Sequence, residues 1–337
     1  MFILAAFAAC AWAAGLGQVV PAAVVALAIG GGVLWSNWDQ YHDVWLAPRG
    51  QLHELETIGH RIAGKGPTLM TDYQVYGARH FLRSADPEAA SELRRRYDYL
   101  TNGQVLPPKT PWADIDRFRL DGILDYRTLV LRKGPLSSRP PSVYRLVRSG
   151  RYYEVWQRPA QVPNTILEHL GLDTSTQPAR VPACSEVMRL AKEPGVVSLA
   201  AARRPETIWL GAPPLSGERD VTVSIPRDSE YFAWLGGDWY GDASISVDGH
   251  DVGSRREELN WPDLYTELGR TRLAAGQHVV TIRHATGGWY PGSGALPYSF
   301  GPAALSPVDD REPFRKVPVS QAQSLCGQRL DWVEALR

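Results

Sequence analysis

Ala243-Ser-Ile-Ser-Val-Asp-Gly249 alternates small or apolar with polar side chains and then breaks at Asp248-Gly249. A period of two puts every other side chain on one face of a strand, and Asp-Gly is a dipeptide suited to a two-residue hairpin turn. The stretch reads as one strand of an antiparallel hairpin. Working outward, Asp220 to Ile225 and His278 to Arg283 alternate in the same way, and Tyr231-Phe-Ala-Trp-Leu235 is a further strand. Leu273-Ala-Ala-Gly-Gln-His278 supplies a turn before the strand at His278. Short strands punctuated by Gly and Pro predict an antiparallel β-sandwich over residues 181–337.

Between these strands lie three loops rich in aromatic residues: Gly236-Gly-Asp-Trp-Tyr-Gly-Asp242, Glu258-Leu-Asn-Trp-Pro-Asp-Leu-Tyr265 and Gly287-Gly-Trp-Tyr-Pro-Gly-Ser-Gly294. A sugar presents an apolar C–H face and a ring of hydroxyls, which suit an aromatic platform flanked by carboxylates or amides. Trp239, Tyr240, Trp261, Trp289 and Tyr290 are the candidate platforms, and Asp238, Asp242, Asn260 and Asp263 the candidate hydroxyl partners. The competing reading is that these rings plug the ends of the sandwich. Asp238 and Asp242 are alternatively oxygen ligands for a structural calcium. No other metal or cofactor is expected.

Upstream, residues 44–160 read as an α/β domain and 161–180 as a linker. Leu52, Leu55, Ile58 and Ile62 recur at helical spacing, and Pro67 then opens the apolar run Thr68-Leu-Met-Thr71. Asp86 as N-cap with Pro87 at the first helical position predicts a second helix ending in Arg94-Arg-Arg96. Tyr126 to Arg132 is a strand, and Tyr144 to Val147 with Tyr152 to Gln157 a hairpin. The Pro-rich run from Gly134 to Pro141 is a rigid loop, because proline cannot sit inside a sheet.

The chain begins with 35 residues that carry no charged side chain, Gln18 being the one strongly polar residue between Phe2 and Trp35. A bilayer core takes about 20 apolar residues as a helix. Val19 to Trp35 is the expected membrane helix, followed by Trp35, Trp38 and Tyr41 as an interfacial belt, with a shorter helix over Phe2 to Leu16. Residues 1–36 are thus the transmembrane segment, as one helix or a helical hairpin. A signal peptide is the rival reading, weakened by the lack of any basic residue before the apolar run. Of three cysteines, Cys10 falls in this segment, leaving Cys184 and Cys326 in the soluble part. Paired, they would close a loop of about 140 residues and stabilise it by roughly 5 kcal/mol on the chain-entropy model. A disulfide would also place the soluble part outside the cytoplasm. Two unrelated buried thiols are the alternative.

Thirty-six basic and 36 acidic residues leave no net charge to attract nucleic acid, whereas 12 Trp and 14 Tyr against 7 Phe favour aromatics with a polar edge. No nucleophile elbow, zinc-protease helix or clustered Cys and His is present in the sequence.

Taken together, the apolar helix, GPTLMTDYQVYGARHFLR (66–83), DPEAASELRRR (86–96), YRTLVLRKGPLSSRPPSVYRLV (126–147), GRYYEVWQRP (150–159) and the closing LCGQRLDWVEAL (325–336) resemble a known pattern. It is that of the extracytoplasmic C-terminal region of actinobacterial GT-C glycosyltransferases, multi-spanning enzymes that use polyprenyl-phosphate sugars. The run from Val247-Asp-Gly249 to Leu273-Ala-Ala-Gly-Gln-His-Val-Val-Thr-Ile282 is similar to jelly-roll carbohydrate-binding modules. Such enzymes keep their catalytic carboxylate in an early loop of a many-span bundle, so the resemblance assigns no catalytic residue here. It implies a non-catalytic part or accessory of cell-envelope glycan assembly at the cell membrane. The expected partners are an envelope glycan or polyprenyl-phosphate sugar, membrane lipid and a membrane glycosyltransferase subunit. The alternatives are a glycoside hydrolase with its site between the domains and a structural envelope protein. The expected fold class is α+β and multi-domain, ending in a jelly-roll-like sandwich.

Overall fold

The computed structural model describes residues 8, 10–12, 14–42, 48–73, 77–91, 95–96, 98–161, 165–172, 179–204, 206–285, 299–308 and 314–337. The chain up to Pro48 falls in one compact unit, and the described residues from Arg49 onward form another.

In the first unit, helix α1 (Val19–His42) begins after Gly17, whose φ of +80° ends the helical backbone before it. Its segment Val19–Trp38 has 20 residues and a mean hydropathy of 2.0. At 1.5 Å per residue such a helix matches a hydrocarbon layer of about 30 Å. Val19, Val20 and Val25, which point in three directions around the axis, are all exposed, so the helix is apolar around its circumference and its side chains call for an apolar surrounding. The shorter helix expected over Phe2 to Leu16 lies partly outside the described residues; Cys10 to Trp12 are helical.

The second unit contains four sheets. The first has the order β2-β1-β3-β5-β4, with β1 (Thr68–Met70), β2 (Pro87–Ala89), β3 (Thr128–Arg132), β4 (Arg145–Ser149) and β5 (Tyr153–Gln157). β1 pairs parallel to both β2 and β3, while β5 pairs antiparallel to β3 and β4. Strand alternation divides its side chains cleanly. Met70, Val130, Tyr153 and Val155 pack under helix α2 (Arg49–Ile62) through Leu55, Ile58 and Ile62, whereas Leu69, Leu129, Leu131 and Trp156 face Ile115, Phe118 and Tyr144.

The helix expected from Asp86 is not formed. Asp86 has φ +46° and Pro87–Ala89 is the edge strand β2, paired from Thr68↔Pro87 to Met70↔Ala89. Proline opens helices and also begins edge strands, so the local signal is ambiguous. Buried Glu88 decides it: its carboxylate accepts the backbone N–H groups of Arg95 and Arg96 at 2.9 Å, the Arg96 guanidinium and the Tyr126 hydroxyl at 3.2 Å.

The stretch expected as a linker carries β6 (Ile166–Gly171), which pairs with the C-terminal strand of a second sheet. That antiparallel sheet has the order β16-β7-β17-β6, with β7 (Ser198–Arg203), β16 (Arg315–Pro318) and β17 (Leu330–Leu336). Helix α3 (Leu120–Ile123) precedes it in sequence, and helix α4 (Cys184–Ala191) with the 3₁₀ turn Val319–Leu325 covers one of its faces. Cys184 and Cys326 form a disulfide with Cα atoms 5.1 Å apart. It staples those two helical segments together.

Between β7 and β16 the chain makes the sandwich. One sheet is β13-β10-β15-β8 and the other β12-β11-β14-β9, from β8 (Ile208–Gly211), β9 (Gly217–Ile225), β10 (Ser229–Asp238), β11 (Asp242–Val247), β12 (His250–Arg255), β13 (Tyr265–Leu273), β14 (Gly276–Ala285) and β15 (Ser299–Pro307). Counted from β8, the orders are 1-8-3-6 and 2-7-4-5, those of an eight-stranded double-sheet roll. Asp248 and Gly249 have φ +52° and +77°, so the β11–β12 hairpin has the two positive φ angles of a type I′ turn. Tyr231, Ala233, Leu235, Ile245, Val280 and Ile282 fill the space between the sheets.

Candidate functional site

The outer face of the first sandwich sheet carries Phe232, Trp234, Tyr265 and Ala304, which pack against Leu136 in the Pro-rich loop after β3. Docking there brings three sheets to one place and leaves a cleft of about 640 Å³ between them. The β3–β4 loop and hairpin contribute Lys133, Arg139, Arg145, Glu154 and Trp156; the sandwich contributes Thr207, Phe232, Trp234, Arg270 and Ser306; the second sheet contributes Asp331, with Arg204 just after β7.

Two of the cations are built into the walls. Arg204 donates to Asp331 and to the carbonyls of Pro135 and Ser137, holding the Pro-rich loop against the second sheet. Lys133 donates to Glu267 at 2.6 Å and to the Gly150 carbonyl at 3.1 Å, with its ammonium 4.5 Å from the centre of the Phe232 ring. Arg270 also lies 4.5 Å from that ring and donates to Glu267 at 3.0 Å. Phe232 is thereby engaged in two cation–π contacts. The Trp234 indole donates to Ser306 Oγ at 2.8 Å.

Arg139 and Arg145 are placed differently. Arg139 Nη1 donates to the Arg203 carbonyl, and its backbone N–H to Asp331 at 3.2 Å. Arg145 Nη1 donates to the carbonyls of Ser142 at 2.7 Å and Tyr144 at 3.2 Å, and the exposed guanidinium lies 5.0 Å from the Phe314 ring centre. Each stem is fixed through one terminal nitrogen. Of the carboxylates in the lining, Asp331 is bound to Arg204, and Glu154 accepts the Trp156 indole N–H at 3.1 Å. Burial raises the Glu154 pKa, opposed by Lys133, that indole and Arg139.

Two buried polar networks hold the sheets that make the cleft. In one, Gln51 Nε2 donates to Glu258 at 3.0 Å and to Asn260 Oδ1 at 3.1 Å, Tyr152 donates to Glu258 at 2.9 Å, and Arg132 donates to Asn260 Oδ1. Burial raises the neighbouring Asp72 to a pKa of about 6 despite the Arg132 charge. In the other, His169 on β6 lies between Asp116 at 2.7 Å and Glu334 at 2.9 Å. Burial opposes its charge, but the hydrogen bonds to Asp116 and Glu334 win and raise its pKa to about 10. Asp114 beside it is pushed up to about 7 by burial and by Asp116.

The candidate sugar-binding residues of the sandwich do not form one platform. Trp239 is fully buried in the sandwich core, its ring parallel to Phe300 with centres 6.4 Å apart, and offers no face to a ligand. Asp238 and Asn260 are buried too, Asn260 as a cross-tie to Gln51, Arg132 and Thr266. Tyr240 is half-buried, and its carbonyl accepts from His284 at 2.8 Å if that Nε2 is protonated. Trp261, Asp242 and Asp263 are exposed. Trp289 and Tyr290 lie outside the described residues. Among the described residues no group of three metal-ligating side chains converges, the calcium candidates Asp238 and Asp242 included.

The cleft itself was not foreseen from sequence, apart from its rigid Pro-rich wall. A signal for Trp239 was available. Tyr231, Ala233 and Leu235 point inward, and the same parity reaches Trp239 once β10 is allowed to run through Gly236-Gly237.

No family model matches this chain, and no curated protein does. Among solved structures it has slight similarity to a GH26-CBM35 β-(1,4)-mannanase from Podospora anserina, at 18% identity over 35% of this chain and 29% of that one, with a TM-score of 0.22. A ruminal GH26 endo-β-1,4-mannanase gives 16% identity over 31% and 20% of the two chains, TM-score 0.20. A GH31 α-xylosidase from Xanthomonas citri gives 13% over 62% and 23%, TM-score 0.22. The chain spans less than a third of each of these proteins, and at such scores the likeness carries no functional argument.

Proposed function

We propose that this chain is a membrane-anchored, extracytoplasmic binding module for a glycan or lipid-linked sugar, with the ligand seated where the three sheets meet. The observation that carries the reading is the cleft: its volume of about 640 Å³ falls within the roughly 300–1,000 Å³ of small-molecule sites, and its walls mix aromatic edges with fixed polar donors. Helix α1 supports the anchor, and the Cys184–Cys326 bond supports an oxidising compartment outside the cytoplasm. The sequence resemblance to the C-terminal region of GT-C enzymes supports a role beside a membrane glycosyltransferase in cell-envelope assembly.

Binding is favoured over hydrolysis by the state of the carboxylates. A glycosidase needs one carboxyl group to protonate the leaving oxygen and another facing the sugar ring. Asp331 is buried and tied to Arg204, and Glu154 is tied to Trp156. The test is calorimetric titration of the full chain in nanodiscs with envelope oligosaccharides and a prenyl-phosphate sugar. Thr207→Trp, which places an indole in the cleft, should weaken binding at least tenfold, since losing about 1.4 kcal/mol is enough. Absence of binding by the wild type to every ligand, or unchanged affinity in this variant, would sink the assignment.

A further inference from the structure

We infer that the ligand of this cleft is an acidic saccharide, one bearing a carboxylate or phosphate, and that Arg139 and Arg145 receive its charged group. The inference rests on the binding reading above and narrows it.

The chain as a whole is neutral, with 36 basic and 36 acidic residues, yet the described lining of the cleft is not. Five cationic side chains stand there against Glu154 and Asp331, and counting Glu267 beneath Lys133 still leaves two cations in excess. The hydrogen bonds divide that excess, one positive charge on Lys133 and Arg270 around Glu267 and one on Arg139 and Arg145 with Glu154. Arg204 is consumed by Asp331 and two carbonyls, and Lys133 and Arg270 share Glu267. Arg139 and Arg145 remain, each held through Nη1 to backbone carbonyls. A guanidinium has five N–H donors in a planar fork, so Nε and Nη2 of each can still grip an anionic group at two points.

Their stems are already ordered, Arg139 by the Arg203 carbonyl and Arg145 by Ser142 and Tyr144, which lowers the conformational cost of that grip. A neutral sugar would occupy the same space and leave the surplus charge of this pair unanswered. Carboxylate and phosphate share the required chemistry, and the experiment separates them.

The full chain in nanodiscs of uncharged lipid is titrated with a neutral tetrasaccharide of galactose, with tetragalacturonate and with mannose 6-phosphate. At least one acidic probe should bind about tenfold or more tightly than the neutral one, and the preference should shrink in 0.5 M salt as screening shortens to a few ångströms. Arg145→Gln should lower acidic-probe affinity about tenfold, a larger loss than for the neutral probe, with Arg145→Lys recovering part of it. Arg139→Gln should act in the same direction. Should it unfold the protein, the exposed Arg145 pair decides alone. Tetragalacturonate or the phosphate binding selectively names the charged group. Equal binding of neutral and acidic probes, or an Arg145→Gln variant that keeps the acid preference, overturns this inference while leaving the binding reading intact; no binding of any probe, when the envelope ligands above also fail, overturns both.

Discussion

His169 shows how one side chain can make the fold depend on pH. Its two ring nitrogens face Asp116 and Glu334, and the pKa rises from an ordinary 6.5 to about 10 in the folded protein. A base whose folded pKa is raised contributes stability that is whole below pH 6.5 and is lost as pH climbs toward 10. Scanning calorimetry should therefore show the melting temperature falling over that interval, and His169→Gln should flatten the fall while lowering stability at pH 6.5. An equally steep wild-type and variant profile would refute the linkage. The two sandwich tryptophans that sequence treats alike separate at this same scale. Buried Trp239→Ala should cost about 3–5 kcal/mol in urea unfolding, whereas exposed Trp261→Ala should stay within about 0.5 kcal/mol. Similar losses at both positions would contradict the burial difference.

Among the elements, α1 rests on composition and β2 on context. The segment Val19–Trp38 of α1 has a mean hydropathy of 2.0, an apolar character that comes from composition and needs no partner from the rest of the chain. A cation at its middle costs about 2.5–3.5 kcal/mol of insertion free energy. Ala26→Arg should shift the protein from the membrane pellet to the soluble fraction after cell fractionation, and an unchanged distribution would remove α1 as the principal span. β2 is the contrary case. Its three residues, Pro87 to Ala89, have no strand periodicity of their own, and they extend because β1 offers a parallel partner and Glu88 finds Tyr126, Arg95 and Arg96. The same holds for β6, whose Ile166-Leu-Glu-His-Leu-Gly171 becomes a strand through pairing with β17.

For the whole molecule, the second sheet gathers strands from both sides of the sandwich insertion, and the disulfide closes a separation of 142 residues across it. Removing that link with Cys184→Ser and Cys326→Ser together should cost up to roughly 5 kcal/mol, measured by chemical denaturation, because the unfolded chain regains the entropy of an open loop. A double variant as stable as the wild type would show that sheet pairing alone closes the domain.

What the sequence determined by itself was whatever neighbours along the chain encode: the apolar length of α1, the 3.6-residue spacing of α2, the alternating sandwich strands and the Asp248-Gly249 turn. It also supplied the right cysteine pair, since only Cys184 and Cys326 lie outside the apolar N-terminal segment. Tertiary structure alone decided that Asn260 is a buried tie, that Pro87 opens a strand, and that Lys133, Arg139, Arg145, Arg204, Arg270 and Asp331 meet. Those six residues span three sheets and nearly 200 positions, and no local period links them. Burial and charge at such a place are set by which surfaces dock, a free-energy balance over many distant contacts that no window of sequence contains.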